Sequence, residues 1–127
     1  MIVLDASALL TLLHREAGWD VVARAAAIDS ATVSAVNYAE VVQKAAQHTL
    51  RAEEVDAALE RLDITVSPFG RLDARLVASF YRHRSGLSLA DRVCLALARS
   101  LTSPAYTADR HWQSWADDLG VEVRLIR

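Results

Sequence analysis

The chain opens on Met1-Ile2-Val3-Leu4-Asp5, an apolar run that ends on a carboxylate. A short, uninterrupted apolar segment rich in β-branched residues is the pattern of a strand buried on both faces, as in a parallel sheet. A half-exposed strand would alternate polar and apolar positions instead. Good helix formers follow from Ala6 to Leu13. Asp5 therefore stands where a central strand passes into a helix. In open α/β sheets this carboxyl edge is where ligands and chemistry collect. What the chain does depends on which other side chains reach the same edge.

The remaining pattern alternates in kind. A helix is expected over Ala6–His14, with Leu9, Leu10, Leu12 and Leu13 on its buried face, and Gly18 breaks it before a second helix, Trp19–Ile28. Ala31-Thr32-Val33 reads as a strand, and Ser34 caps a helix running from about Ala35 to His48. Glu53 and Glu54 open another helix, acidic in its first turn as the helix dipole favours. Ile64-Thr65-Val66 is a third strand ended by Pro68, and Arg71 to His83 is helical. Ser88 opens a helix from Leu89 to about Leu101. Ala105-Tyr106-Thr107 is a fourth strand, Asp109 to Leu119 a short helix closed by Gly120, and Val121 to Ile126 a last strand. Strands alternating with helices imply an α/β three-layer sandwich, a mainly parallel central sheet flanked by helices. At 127 residues this is a single domain, residues 1–127.

Composition narrows the class. The chain is 53% apolar, which calls for a large buried fraction or an apolar face kept for a partner. No apolar run approaches the ~18 residues of a membrane span. The first residues lack a basic region and reach Asp5 too early for a signal peptide, so a cytoplasmic protein is expected. Cys94 is the sole cysteine, which leaves no disulfide framework and no thiolate metal site, and it packs as a small hydrophobe. The net charge of −2 does not announce a nucleic-acid binder. Thirteen of the 14 basic residues are arginine, the side chain suited to bidentate phosphate contacts, although a GC-rich genome produces the same bias.

Among the 16 acids, four stand out. Asp5 ends a buried strand and reads equally as a reactive carboxylate or as the cap of the following helix. Glu40 shares a helix face with Gln43, Lys44 and Gln47, and pairs with Lys44 in the favourable i,i+4 order, which is the pattern of a solvated surface. Asp91 completes a capping box, Ser88-Leu89-Ala90-Asp91, yet its neighbours Cys94, Leu95 and Ala98 are apolar, where an unpaired charge is costly. Asp109 follows the strand Ala105–Thr107 and mirrors Asp5, again as cap or as site. Asp5, Asp91 and Asp109 each fall near a helix start, and in an α/β sheet that places them on one edge. Two carboxylates ~4 Å apart repel by about 4 kcal/mol at an effective dielectric of 20. A cluster of them calls for protons, arginines or a hard cation, and an all-oxygen set suits Mg²⁺ or Mn²⁺ rather than Zn²⁺. Such ions activate water and stabilise the charge of an in-line phosphodiester displacement.

Four stretches together resemble the PIN-domain ribonucleases, and specifically the VapC-type toxins of type II toxin–antitoxin systems. They are Ile2-Val3-Leu4-Asp5-Ala6-Ser7, Ser34 to Glu40-Val41-Val42, Leu87-Ser88-Leu89-Ala90-Asp91, and Tyr106-Thr107-Ala108-Asp109-Arg110-His111-Trp112. Each is weak alone; the ordered set, spread over essentially the whole chain, is specific. The resemblance implies a Mg²⁺-dependent endoribonuclease whose acidic site is Asp5, Glu40, Asp91 and Asp109. Asp5 and Asp91 would ligate the ion directly, with Glu40 and Asp109 completing its shell, holding a second ion or orienting water. Thr107 and Ser7 look like the family's hydroxyls beside the last and first acids. The resemblance further implies a homodimer, an RNA substrate cleaved internally, and a cognate antitoxin that covers the toxin. Arg92 and Arg110, next to acidic positions, are candidates to hold phosphates, and Arg71, Arg75 and Arg82 form one stripe of their helix that also reads as a solvated face.

Two other readings compete. A haloacid dehalogenase-like phosphatase also starts with an apolar strand ending in Asp, but it needs a second Asp where this chain has Ser7. A catalytically silent PIN-like interaction module would keep the fold without the chemistry, and the intact acids argue against it.

Overall fold

A computed structural model describes all 127 residues, Met1–Arg127. Five strands form one sheet: β1 (Ile2–Leu4), β2 (Ala31–Ser34), β3 (Ile64–Ser67), β4 (Ala105–Thr107) and β5 (Val123–Leu125). Their order is β3-β2-β1-β4-β5, and every neighbouring pair is parallel. The opening strand is thus the central one. Chain order reverses on either side of it, with β2 on one flank and β4 on the other, so a crevice opens between the carboxyl ends of β1 and β4.

Burial of β1 on both faces follows directly from its sequence. Ile2 and Leu4 enter a core built with Leu9, Leu12, Val22, Val41, Val55 and Leu59. These come from α1 (Ala6–His14), α2 (Trp19–Ile28), α3 (Ala35–Ala46) and α4 (Ala52–Arg61). Val3, pointing the other way as the period of two demands, enters a second core with Val77, Phe80, Val93, Leu95, Trp112 and Leu119. That core is supplied by α5 (Arg71–Ser79), α6 (Leu89–Ser100), a 3-10 helix (Arg110–Ser114) and the single turn α7 (Ala116–Leu119). Each such side chain contributes about 1.5–3 kcal/mol by leaving water. Truncating Leu4, which is fully buried, would cost about 2–5 kcal/mol. Cys94 is fully buried in the second core, where burial pushes its thiol pKa well above the ordinary value, so it packs as expected of a hydrophobe.

Helix starts are capped as the sequence indicates. Asp5 accepts from the Ala8 amide at 2.7 Å, Ser34 from Val36, and Ser88 and Asp91 exchange the two bonds of a capping box. Gly18, at φ 98°, turns α1 into α2 directly beneath the Ile126 carbonyl, and a Cβ there would collide with that backbone oxygen. No helix is long and apolar enough to cross a membrane.

Four boundaries differ from expectation, and one is the last strand, which spans Val123–Leu125 rather than Val121 to Ile126. Helix α3 ends at Ala46 rather than His48. Helix α5 ends at Ser79 rather than His83, and arginines satisfy carbonyls at that end: Arg92 donates to Val77 and Arg82 to Ser79, with Arg82 also reaching the Tyr81 carbonyl just beyond it. The expected helix over Asp109–Leu119 divides into the 3-10 segment and α7. Trp112 is driven fully into the core, while the Trp115 indole N–H reaches the Ser85 carbonyl at 3.2 Å.

Candidate active site

Sheet geometry delivers the expected acids to one place. A cavity of about 120 Å³ at the carboxyl edge is lined by Asp5, Glu40, Asp91 and Asp109, together with Ser7, Asn37 and Lys44. A cavity of about 450 Å³ between α1, α2 and α4 is larger, but Leu12, Leu13, Trp19 and Leu50 line it and no acidic cluster converges there. Size alone would select that groove. The chemistry selects the smaller site.

Asp5 forms the floor. It is 6% exposed, and both carboxylate oxygens are engaged. Oδ1 accepts from Ser7 Oγ and from the Ala8 amide, each at 2.7 Å, and Oδ2 accepts from Thr107 Oγ1 at 2.6 Å. The two hydroxyls reach onward: Ser7 Oγ accepts from the Ala108 amide and Thr107 Oγ1 from the Asp109 amide, both at 3.0 Å. The ends of β1 and β4 are thereby stitched together through one carboxylate. Burial raises the pKa of Asp5 from its ordinary 3.8 to about 6, against the lowering by Thr107, Ala8 and Ser7; the negative charge of Asp91 adds to the rise.

The other acids arrive from helix starts and from α3. Asp91 is half-buried, with Oδ2 accepting from the Ser88 amide at 2.9 Å in the capping box. Asp109 caps the 3-10 helix by accepting from the His111 amide at 2.9 Å. Glu40 is half-buried and 3.5 Å from the Asn37 amide nitrogen. Cap and cavity wall are therefore not alternatives, because Asp5, Asp91 and Asp109 serve as both.

Two lining residues have no counterpart among the expected ones. Asn37 is 1% exposed; its Nδ2 donates to the Ala90 carbonyl at 3.1 Å, and its Oδ1 has no partner. Lys44, expected to pair with Glu40 on a solvated face, lines the cavity and forms no ion pair with it. Asn37, Glu40 and Lys44 stand at i, i+3 and i+7 of one helix, a spacing that the sequence displays. Conversely, the phosphate candidates fall away from the cavity. Arg92 turns onto α5, with Nη1 on the Val77 carbonyl and its guanidinium 5.4 Å over the Tyr81 ring. Arg110 is exposed and outside the lining. Arg82 lies beyond the end of α5 and pairs with Asp118 at 2.8 Å, so the stripe reduces to the exposed Arg71 and Arg75.

No group of three His, Cys, Asp or Glu side chains is placed to hold an ion unaided. That suits a hydrated cation better than a caged one, since Mg²⁺ is commonly bound through one or two carboxylates with water completing its octahedron. The donor set fits: four carboxylates and a serine hydroxyl, among them a buried carboxylate without a cationic partner.

Known proteins agree with this architecture. Among solved structures, a toxin–antitoxin complex from Klebsiella pneumoniae superposes with a TM-score of 0.75 at 17% identity, covering 100% of this chain and 98% of that one. FitAcB from Neisseria gonorrhoeae gives 0.66 at 24%, covering 97% and 96%. VapC20 of Mycobacterium tuberculosis, a Sarcin-Ricin loop cleaving toxin, gives 0.69 at 19%, covering 90% and 94%. These identities speak for the fold alone. No curated protein sequence matches the chain. The family model of the PIN domain matches residues 2–117, nearly the whole chain, and the chain belongs to the PIN domain family.

Proposed function

We propose that the chain is a divalent-metal-dependent endoribonuclease of the VapC type, the toxin of a type II toxin–antitoxin pair. The observation that carries this is the convergence of Asp5, Glu40, Asp91 and Asp109 on one small polar cavity at the switch point of the sheet. Supporting it are the family and the similarity to toxins, one of them described as a Sarcin-Ricin loop cleaving toxin and another solved as a toxin–antitoxin complex. A cognate antitoxin would cover the toxin, and a homodimer and a cytoplasmic location belong to the same reading.

Asp5 and Asp91 are the residues that would hold Mg²⁺, with Mn²⁺ as a substitute. Bound there, the ion would supply an activated water and offset charge on the phosphate that is cut. The chain's own groups do the rest. Ser7 and Thr107 orient Asp5 so that its position does not depend on the ion. Glu40 and Asp109 orient water along the cavity wall. Lys44 adds the one cationic side chain of the lining, suited to a phosphate oxygen of an RNA strand.

Purified, antitoxin-free protein incubated with total RNA tests the proposal. Cleavage should occur with Mg²⁺, stop with EDTA, and be lost in Asp5→Asn and Asp91→Asn. Equal cutting by every sample would indicate a contaminant and remove the site assignment. RNA or partner binding without cutting under any condition would favour the silent module.

A further inference from the structure

Asn37 does not fit the expectation for a buried helix residue. It is 1% exposed in the first turn of α3, yet it is polar, and only half of its amide is satisfied. The satisfied half is informative. Nδ2 donates to the carbonyl of Ala90, the residue before Asp91, and also lies 3.5 Å from Glu40 Oε2. One nitrogen on α3 therefore touches the backbone that carries one acid and the side chain of a second. No other side chain bridges α3 to the first turn of α6 by a hydrogen bond. The amide is also placed in the cavity wall itself, among the four carboxylates.

Electrostatics makes such a brace necessary. Asp5, Glu40, Asp91 and Asp109 line one small cavity, and repulsion between like charges there favours drawing α6 away from β1 and α3. The Asp91 capping box fixes that carboxylate to its own helix start but does nothing to fix the helix against α3. The Asn37–Ala90 bond does. A neutral donor suits the task, because it restrains the acids without neutralising the charge a cation needs. Its Oδ1 is buried and unpaired, so Nδ2 alone carries the restraint.

We propose that Asn37 is a positioning residue of the acidic cavity, holding Asp91 and Glu40 at the separation that receives a hydrated divalent cation. The inference rests on the metal-dependent reading above and adds a neutral member to its site. Outer groups that orient ligands typically change metal affinity about 10–100-fold when removed.

The test is Mn²⁺ titration calorimetry on the full antitoxin-free chain, with thermal melting in EDTA and RNA cleavage measured in parallel. Asn37→Leu keeps the volume and removes both polar atoms; Asn37→Ala leaves room for water. Expected is an approximately tenfold or greater loss of Mn²⁺ affinity in both, with folded, cooperatively melting protein in EDTA. A merely structural tie would lower the melting temperature and leave Mn²⁺ affinity at the wild-type value, which overturns the proposal. Should Asn37→Leu fail to fold, Asn37→Ala decides. Wild-type protein that binds Mn²⁺ but cuts no RNA removes the nuclease reading while the Asn37 result stands on binding alone. Wild-type protein that takes up no Mn²⁺ overturns both.

Discussion

On one wall of the acidic cavity, at the ends of β1 and β4, both oxygens of Asp5 are already engaged and the residue is nearly sealed from water. On the other wall, Glu40 and Asp91 are half-buried, Lys44 is exposed and unpaired, and a single amide bridges the two helices. The difference follows from how each wall is made. The strand wall is an extension of the sheet, with Thr107 and Asp5 at the ends of adjacent hydrogen-bonded strands. The helix wall is two separate elements whose spacing is set by side chains. One wall fixes a position and a protonation state; the other offers reach. Substitutions on the two walls should therefore separate stability from function in opposite ways.

The largest effect is expected at Asp5. Folding holds its proton more tightly, with a pKa of about 6 against the ordinary 3.8. Below the lower value both states are protonated and the site costs nothing. Between the two values the unfolded chain ionises first, so stability falls as pH rises. Above the upper value the full cost remains, about 3 kcal/mol. Asp5→Asn removes that cost and retains the network: an amide oxygen can accept from Ala8 and Ser7, and Thr107 Oγ1 can accept from the new amide. RNA cleavage should drop by at least about a thousandfold while the melting temperature at pH 7.5 rises by several degrees. At pH 4 that thermal gain should shrink. A lower melting temperature at pH 7.5 would return Asp5 to the status of a simple cap.

Asp91 is the counterpart on the helix wall, and its stability response should be flat. Asn can still accept from the Ser88 amide, so Asp91→Asn keeps the capping box and should shift stability by less than about 1 kcal/mol. Cleavage and Mg²⁺ affinity should each fall by about a hundredfold or more. Loss of stability with retained metal affinity would mean that Asp91 serves the helix alone.

Thr107→Val tests the link between strands. The hydroxyl donates to Asp5 Oδ2 and accepts from the Asp109 amide, so its isosteric loss strands a buried carboxylate oxygen and a part-buried amide and should cost about 1–3 kcal/mol. The Thr107 bond is the largest of the influences that lower the Asp5 pKa, and without it that value moves further above 6. The acid limb of the pH–cleavage profile should shift upward with it, giving a loss at pH 6.5 that is partly recovered at pH 8. A pH-independent loss would show that the hydroxyl acts on geometry only.

The strand wall is also the part that sequence alone made readable. A continuous apolar run ending in Asp before helix formers can be met by few structures other than a central parallel strand with its carboxylate at the switch point. The same holds for Asp109 after Ala105–Thr107. The helix wall was harder because its distinguishing facts are not periodic. Asn37 carries no pattern that separates a brace from a surface amide, and an i,i+4 Glu40–Lys44 spacing describes an ion pair and a shared cavity equally well. Arg92 and Arg82 went astray for a longer-range reason. Their directions depend on where α5 stops, and it stops where those same arginines take its carbonyls. The split of the expected helix after Asp109 has the same origin, in Trp112 and Trp115 meeting partners far along the chain.

The smallest expected effect belongs to Lys44, the most solvated member of the helix wall, and its sign is the informative part. If its ammonium serves RNA, Lys44→Met should weaken substrate binding several-fold with little change in kcat. It should also reduce the slope of log affinity against log salt by about 0.7, the increment for one contact to a single strand. The same change removes a positive charge from an acidic cavity, so Mg²⁺ affinity should rise rather than fall, opposite to the effect of any substitution at Asp5, Asp91 or Asn37. Melting should not move, since the side chain is exposed and makes no ion pair. Weaker RNA binding with stronger Mg²⁺ binding places Lys44 on the substrate side of the cavity. An unchanged salt slope would leave it as a bystander and make the site a purely acidic one.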